Sequence, residues 1–367
     1  MRLAFVDIAY GYTAGRPDTD APLGGTTSAI CFLARELAKR GVVCSFFNRI
    51  DKTAEAHGIK SFPLDRLIEE LADPEIAAVI FCGRWLDGMV ELARQASKAP
   101  FIAWMHESSL QTKLTPPSKA FDGIVYVSEW QQRVNRPFAL SKWKQAVIRN
   151  AMNPRAANLF PPGAPVLAAK QNPPVLLYAG GAARGVVHLP PILEDLRKKT
   201  PDFSMEIFCN TDPSGHKESD EQYIGWLRSL PSVAHVGMVG QPHLIERMKR
   251  ASFLVSPNPW PETSCIAMIE ALAAGLEVVT TDRAALPETA SGFARHIHIE
   301  DADDPVRFDM PVPPEIFADA VFNAINARTQ NPGKAEAGLR KQIDYFHAHY
   351  QWTQRVEPWM EFIKGLK

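Results

Sequence analysis

This chain lacks any marked excess of charge of one sign. Lys and Arg number 40 against 41 Asp and Glu, a net charge of −1, so no overall basic field recommends nucleic acid as a partner, and any anion must be held locally. Cysteine is scarce as well. Cys31, Cys44, Cys82, Cys209 and Cys265 are scattered and free of C-x-x-C spacing, which argues against a zinc site or a disulfide framework and suits the reduced thiols of a cytosolic protein. No stretch approaches the roughly 20 apolar residues that span a bilayer, so the expectation is a soluble, cytoplasmic chain, peripheral at most at the inner face of a membrane. The opening "MRLAFVDIAYGY" has one basic residue and an apolar run interrupted by Asp7, and so reads as a first strand rather than a signal peptide. No G-x-G-x-x-G follows that strand, which disfavours a nicotinamide dehydrogenase. Short-period repeats and low-complexity tracts are lacking too.

What is present suits two cores. A length of 367 residues, 46% of them hydrophobic, exceeds what one core usually serves. Short apolar runs ("RLAFVDI", "VVCSFFN", "AAVIFCG", "PFIAWMH", "GIVYVS", "AVIRN") alternate with helical patterns such as "TSAICFLARELAKRG" and "LDGMVELARQASK". This alternation predicts an α/β, doubly wound domain with a parallel sheet over residues 1–152. The Pro- and Ala-rich stretch 153–173 predicts a linker. Alternation restarts with "PVLLYAG", "FSMEIFC", "VAHVGMV", "SFLVSP" and "LEVVTTD" in a second domain, 174–345. A helical end, 346–367, carries Trp352, Val356, Trp359 and Phe362 on one face. Open parallel sheets bind ligands outside the carboxyl ends of their strands, so function is expected in the βα loops and a cleft between the domains.

One charge looks out of place. In "WPETSCIAMIEALAAGLEVVTTD", residues 260–282, Glu270 sits among Ile266, Ala267, Ile269, Ala271, Leu272, Ala273 and Ala274, the pattern of a helix buried nearly all round. Pro257, Pro259 and Pro261 hold the preceding chain extended, Thr263 or Ser264 is placed to cap the helix, and Gly275 to end it. An ionised Glu270 there costs several kcal/mol unless donors reach its oxygens. Sugar hydroxyls are suitable donors. A mostly helical span from Glu262 to Glu270 covers about 12 Å, too far for the roughly 5 to 9.5 Å of paired glycosidase carboxylates. It suits a grip on opposite ends of one elongated ligand whose anionic middle lies over the helix N terminus. A sugar, a diphosphate and a ribose in a row have that shape. The spacing leaves open an alternative in which Glu270 meets a neighbouring Arg and Glu262 is solvated.

Pro261, Glu262, Glu270, Ala271, Ala273, Gly275, Val278 and Val279 stand as in a known motif, roughly P-E-x-F-G-x-x-x-x-E-A-x-A-x-G-x-P-V-V. In this the chain resembles the retaining, GT-B-fold nucleotide-sugar glycosyltransferases of glycosyltransferase family 4. Flanking elements fall in order over nearly the whole chain: "PLGGTTSAICFLARELAKRG" looks like the family's glycine loop, "WMHES" holds its histidine, and "LLYAGGAARGVVHL" looks like its phosphate segment. "HVGMVGQPHLIERM" resembles the loop near the nucleobase and "RAALPET" the turn after the next strand. The resemblance implies a GT-B fold of two Rossmann-like domains with a cleft between them and a C-terminal helix crossing back to the first.

The implied reaction moves a sugar from a UDP- or GDP-linked donor to a saccharide or glycolipid acceptor hydroxyl with retention. It needs neither metal nor cofactor, and it would serve polysaccharide, lipopolysaccharide or glycolipid synthesis. By the same resemblance Gly24, Gly25, Gly180 and Gly181 lie beside the donor phosphates, Arg184 neutralises the diphosphate, and Val239 lies near the nucleobase. Glu262 takes hydroxyls of the donor sugar, Glu270 those of the ribose, and Thr263, Ser264, Cys265 and Ile266 line the donor between them. His106, Arg184 and Glu262 are the implied catalytic residues. No side-chain nucleophile is implied, because the leaving phosphate helps deprotonate the acceptor.

The chain also departs from the pattern. Gly181 stands where the family usually has an Arg, Cys265 replaces a glycine close to the donor sugar, and Leu276 with Glu277 replaces a small residue and a proline. A sugar-nucleotide epimerase of the same fold and a non-catalytic nucleotide-sugar-binding protein are the other two readings. From the residues alone, Gly24 and Gly25 suit any tight turn, His106 a structural histidine and Arg184 a solvated loop, although Gly180, Gly181 and Gly185 would let the backbone approach phosphates closely. Asp18-Thr19-Asp20 reads as a surface loop rather than a metal pair. "WQQRVNRPFALSKWKQAVIRN" gathers Arg133, Arg136, Lys142, Lys144 and Arg149 with Trp130, Phe138 and Trp143, which suits either an anionic lipid surface or a solvated helix over core aromatics.

Overall fold

Two sheets organise the chain. The computed structural model describes residues 1–107, 119–139, 142–209, 224–308 and 310–366, and the chain falls into two compact units, Met1–Ala151 with Gln351–Lys367, and Met152–Tyr350.

In the first unit the strands are β1 (Arg2–Val6), β2 (Val43–Asn48), β3 (Ala54–Ala56), β4 (Ile59–Pro63), β5 (Ile76–Cys82), β6 (Phe101–Met105), β7 (Gly123–Tyr126) and β8 (Lys144–Val147). They lie in the order β3-β4-β2-β1-β5-β6-β7-β8, and only β3 on β4 is antiparallel among the pairings described. β5, "IAAVIFC", is buried at every residue after its first, as a parallel strand covered on both faces must be. The long connection from β1 to the helix Gly25–Lys39 is tied down rather than loose. Buried Asp7 accepts from the Ala9 amide at 2.8 Å and the Tyr12 hydroxyl at 3.0 Å, and Asn48 donates to the Tyr12 carbonyl at 2.9 Å.

The last helix, Thr353–Lys364, belongs to this unit, and its predicted face is buried: Trp352, Val356, Trp359 and Phe362 are all under 5% exposed. Trp359 meets the Trp104 ring at 5.0 Å. Gly123 on β7 makes the room, since a Cβ there would stand 2.8 Å from the Phe362 ring. Asp18 pairs with Arg35 at 2.8 Å and with His57 at 2.9 Å, so Asp18-Thr19-Asp20 is a tied surface loop. In the basic segment Trp130 and Trp143 are core side chains, which removes two aromatics from any lipid-facing surface; the side chain of Phe138 lies outside the described residues.

The second unit is parallel throughout its described pairings: β9 (Val175–Ala179), β10 (Ser204–Phe208), β11 (Val233–His235), β12 (Phe253–Ser256), β13 (Glu277–Thr281) and β14 (Ala294–Ile297), in the order β11-β10-β9-β12-β13-β14. The chain lays strands outward from β9 in one direction and then, from β12, in the other. The loops after these two neighbours therefore part and leave a crevice at the switch point. The Pro- and Ala-rich stretch packs on this unit: Phe160 and Val166 are buried, and Lys170 donates to the Ala274 carbonyl at 2.8 Å. Among the described residues no helix is long and apolar enough to cross a membrane.

Removing the Trp359 ring should cost about 3–5 kcal/mol. Urea unfolding of Trp359→Ala is expected to show a markedly lower midpoint, and an unchanged one would mean that the last helix contributes nothing to the first unit.

Candidate functional site

The switch point of the second unit gathers the sequence-predicted residues. The loop after β9 runs Gly180, Gly181, then a short turn Ala182–Arg184 and Gly185. Gly185 has φ +113°, and a Cβ on it would lie 2.1 Å from the Pro257 carbonyl oxygen. Glycine is required there so that the β9 loop can touch the β12 loop, a packing reason that the sequence alone did not show. A Cβ at Gly180 or Gly181 would meet nothing described closer than 3.5 Å, so packing does not demand glycine at those two positions.

Across this contact Arg184 forms an ion pair with Glu262. Glu262 is 5% exposed and also accepts from Asn258 Nδ2 at 3.2 Å; the Arg184 side chain remains 39% exposed with its guanidinium 5.6 Å from the Trp260 ring centre. Burial works against the guanidinium charge, but Glu262 outweighs it and holds the Arg184 pKa above its ordinary value. The expected alternative is thus inverted: Glu262, not Glu270, is the glutamate locked to an arginine. Tyr178 at the end of β9 donates to the Gly181 carbonyl at 2.8 Å and fixes the glycine loop from below. Tyr178, Asn258 and Trp260 were not singled out from sequence, where an aromatic ending a strand or an Asn beside prolines is an ordinary core or turn residue.

The helix spans Ile266–Ala273, with Cys265 as its N-cap and no capping bond from the Cys265 side chain. The expectation of a Thr263 or Ser264 cap is therefore corrected: Cys265 itself is extended and the helix begins only after it, so the span from Glu262 is only partly helical. Its two ends differ. At the C terminus Gln342 donates to the carbonyls of Leu272 and Leu276 at 2.8 and 2.9 Å, His347 Nε2 lies 3.3 Å from that of Ala273, and Lys170 reaches that of Ala274. At the N terminus the amides of Ile266 and Ala267 have no partner within the helix. Thr263 is buried, Ser264 half-buried, and Val239 and Cys265 pack against the core that holds Ile269 and Leu272. Burial, with Glu262 adding to it, pushes the Cys265 thiol up to about 12.

Glu270 is 2% exposed, and among the described residues no group hydrogen-bonds its Oε1. Burial pushes its carboxyl up to about 8, opposed by a backbone hydrogen bond at Asn153. Asn153 is itself held by Gln241, at 3.0 Å, just past Val239.

In the first unit Gly24 is the N-cap and Gly25 the first residue of a helix, both exposed. His106 follows β6, is 8% exposed, and lies 4.6 Å from the Trp104 ring. Burial pushes it down to about 3, so it acts as a neutral imidazole. Beside it Glu107 pairs with Arg84 at 3.1 Å. A depression of about 430 Å3 beside Asn172, Val175, Phe203 and Ser204 lies at the amino ends of β9 and β10 and takes no part in these arrangements.

Solved structures share this architecture over the full length of the chain. Sucrose-phosphate synthase from Thermosynechococcus elongatus matches with a TM-score of 0.71 and 17% identity, covering 100% of this chain and 98% of that one. The fold is that of the GT-B glycosyltransferases. A glycosyltransferase from Rickettsia africae matches with 0.71 and 15% over 100% of this chain and 98% of its own. HepE of Anabaena, in complex with UDP and glucose, matches with 0.68 and 13% over 100% of both chains. No family model and no curated protein matches the sequence. At these identities the likeness is one of fold.

The Glu270 carboxyl loses its proton near 4.5 in the unfolded chain and near 8 in the folded one. Between these values the folded state holds a proton that the unfolded state releases, so stability falls through this group as pH rises. Glu270→Gln is expected to exceed the parent in urea midpoint at the upper value and to converge on it below the lower one. Parallel pH profiles for the two proteins would sink the assignment.

Proposed function

We propose that this chain is a retaining glycosyltransferase of the family 4 kind, moving a sugar from a UDP- or GDP-linked donor to a saccharide or glycolipid hydroxyl, in the cytoplasm, during polysaccharide, lipopolysaccharide or glycolipid synthesis. The observation that carries this is Glu270: a buried carboxyl with an oxygen that no described group hydrogen-bonds, on a helix whose N-cap makes no side-chain capping bond. Ribose hydroxyls satisfy the oxygen and a diphosphate satisfies the amides, and the two are neighbours in a sugar nucleotide.

Arg184 moves its charge from Glu262 to the diphosphate, and Glu262 turns to hydroxyls of the donor sugar. Positive charge held on a leaving group is used more in the transition state than in the ground state, so Arg184 is the main catalytic contributor. The reaction as proposed needs no metal, since Arg184 supplies that charge. Glu262 is engaged by Arg184 and Asn258, which suits hydroxyl binding better than covalent attack. Retention then follows a same-face route in which the departing phosphate takes the acceptor proton. The roles given by resemblance to Gly24, Gly25, His106, Val239 and the residues Thr263 to Ile266 stand with this proposal.

A donor panel tests it. Arg184→Ala is expected to lower kcat/KM by about 100-fold or more, and Glu262→Ala by at least about tenfold, with transfer products retaining the anomeric configuration. Full activity in both variants would remove the site assignment. Release of an altered free sugar would indicate an epimerase, and tight donor binding without turnover a binding protein.

Donor binding should also release a proton, because Glu270 is mostly protonated below about 8 and ionises when hydroxyls donate to it. Affinity is expected to rise with pH up to that value and then level off, and calorimetric enthalpies to differ between buffers of unlike ionisation heat. Glu270→Gln should abolish both effects; buffer-independent enthalpies in the parent would refute the coupling.

A further inference from the structure

Arg283 follows β13 and is 0% exposed, yet its guanidinium meets backbone carbonyls. Nε donates to Pro259 at 3.0 Å, Nη1 to Asp301 at 2.9 Å and Ala302 at 2.7 Å, and Nη2 to Arg307 at 2.5 Å. Burial lowers its pKa, while the nearby acids Asp304, Asp303 and Asp301 support the charge. Burying an ion is costly, and filling this volume would need only an apolar side chain. What an apolar side chain cannot do is tie two loops together. The carbonyls belong to the loop after β12, which carries Glu262, and to the loop after β14, which leads to Phe308.

The turn bearing Arg283 adds to the same tie. Thr281 Oγ1 donates to the Asn258 carbonyl at 2.6 Å, the Ala285 amide to that of Glu262 at 3.1 Å, and the Ala284 amide to that of Ala302 at 2.9 Å. Ala284 takes a positive φ of 54° to make this possible, a conformation that side chains other than glycine adopt at a cost. The two loops then meet at Phe308 and Trp260, whose ring centres are 4.5 Å apart, and Trp260 carries the Arg184 guanidinium.

We propose that Arg283 is a positioning residue: it touches no substrate, and by joining the loops after β12 and β14 it sets the Glu262 carboxylate and the Trp260 ring on which Arg184 rests. The inference rests on the reading of Glu262 as a donor-sugar ligand, and two measurements separate the fates of the two. The first needs no activity. In Arg283→Lys and Arg283→Met, the amides of Trp260 and Glu262, which donate to Asn258 Oδ1 and the Trp260 carbonyl, should exchange with deuterium about tenfold faster, with those of β9 and β12 unchanged. Unchanged exchange at Trp260 and Glu262, or equal acceleration across the sheet, overturns the inference whatever the reaction. If the Met variant fails to fold, Arg283→Lys decides, since it keeps the charge and loses the reach to both loops.

The second measurement is a double-mutant cycle in the donor assay. Arg283→Lys should lower kcat by about tenfold in the parent and by clearly less in the Glu262→Ala protein, because part of the effect passes through Glu262 and only the part carried by Trp260 and Arg184 remains. Additive losses would mean a general structural role and overturn the inference. If the unsubstituted protein turns over no nucleotide sugar, the proposed function fails and the exchange result alone decides the role of Arg283.

Discussion

The contact between the loops after β9 and β12 governs the arrangement of the second unit's site. Parallel neighbours whose chains depart in opposite directions leave their loops apart, and something must close that gap. Here Gly185 passes against the Pro257 carbonyl and Arg184 pairs with Glu262. Tyr178 holds one loop from its base, and Arg283 holds the other. The charges at the crevice therefore sit on backbone that is fixed from both sides.

The helix Ile266–Ala273 shows the same division of labour along its own axis. Its C-terminal carbonyls are satisfied by Gln342, His347 and Lys170, with the Lys170 donor well placed for the negative end of the helix. Its N-cap makes no side-chain capping bond, and at mid-helix Glu270 carries a buried carboxyl with an unsatisfied oxygen. A helix built only for stability would have the opposite features, with Ser or Asp at the cap and an apolar residue for Glu270. Such local conflict is tolerated because the rest of the helix is over-determined, and under the proposed function it falls where the donor would complete the structure.

Much of the architecture was legible as alternation. Apolar runs separated by amphipathic ones predicted both parallel sheets, and the face of Trp352, Val356, Trp359 and Phe362 predicted how the last helix is buried. Glu270 was legible as a misplaced charge. What was hidden required knowing which distant segments meet: Arg184 and Glu262 are 78 residues apart, and no local pattern tells that they pair. Arg283, in a turn after a strand, looks like any solvated arginine until the two loops that it joins are in place. The cap at Cys265 was missed because Thr and Ser favour capping locally, whereas the prolines and the loop contacts decide where the helix can begin. Trp130 and Trp143 were ambiguous for a related reason, since basic residues on the outside of a helix say little about the aromatics beneath them.

Within the proposed reaction, the free site carries little net charge. Arg184 is neutralised by Glu262, and Glu270 holds its proton. Recognition is then an exchange rather than an addition: the diphosphate takes Arg184 from Glu262, and the Glu262 carboxylate, 5% exposed, must find other donors. Sugar hydroxyls can supply them. A nucleoside diphosphate without its sugar takes the arginine and leaves Glu262 with Asn258 alone, and a buried carboxylate short of a partner costs more than a neutral group in the same state. The ion pair seen here therefore favours the complete donor over the spent nucleotide.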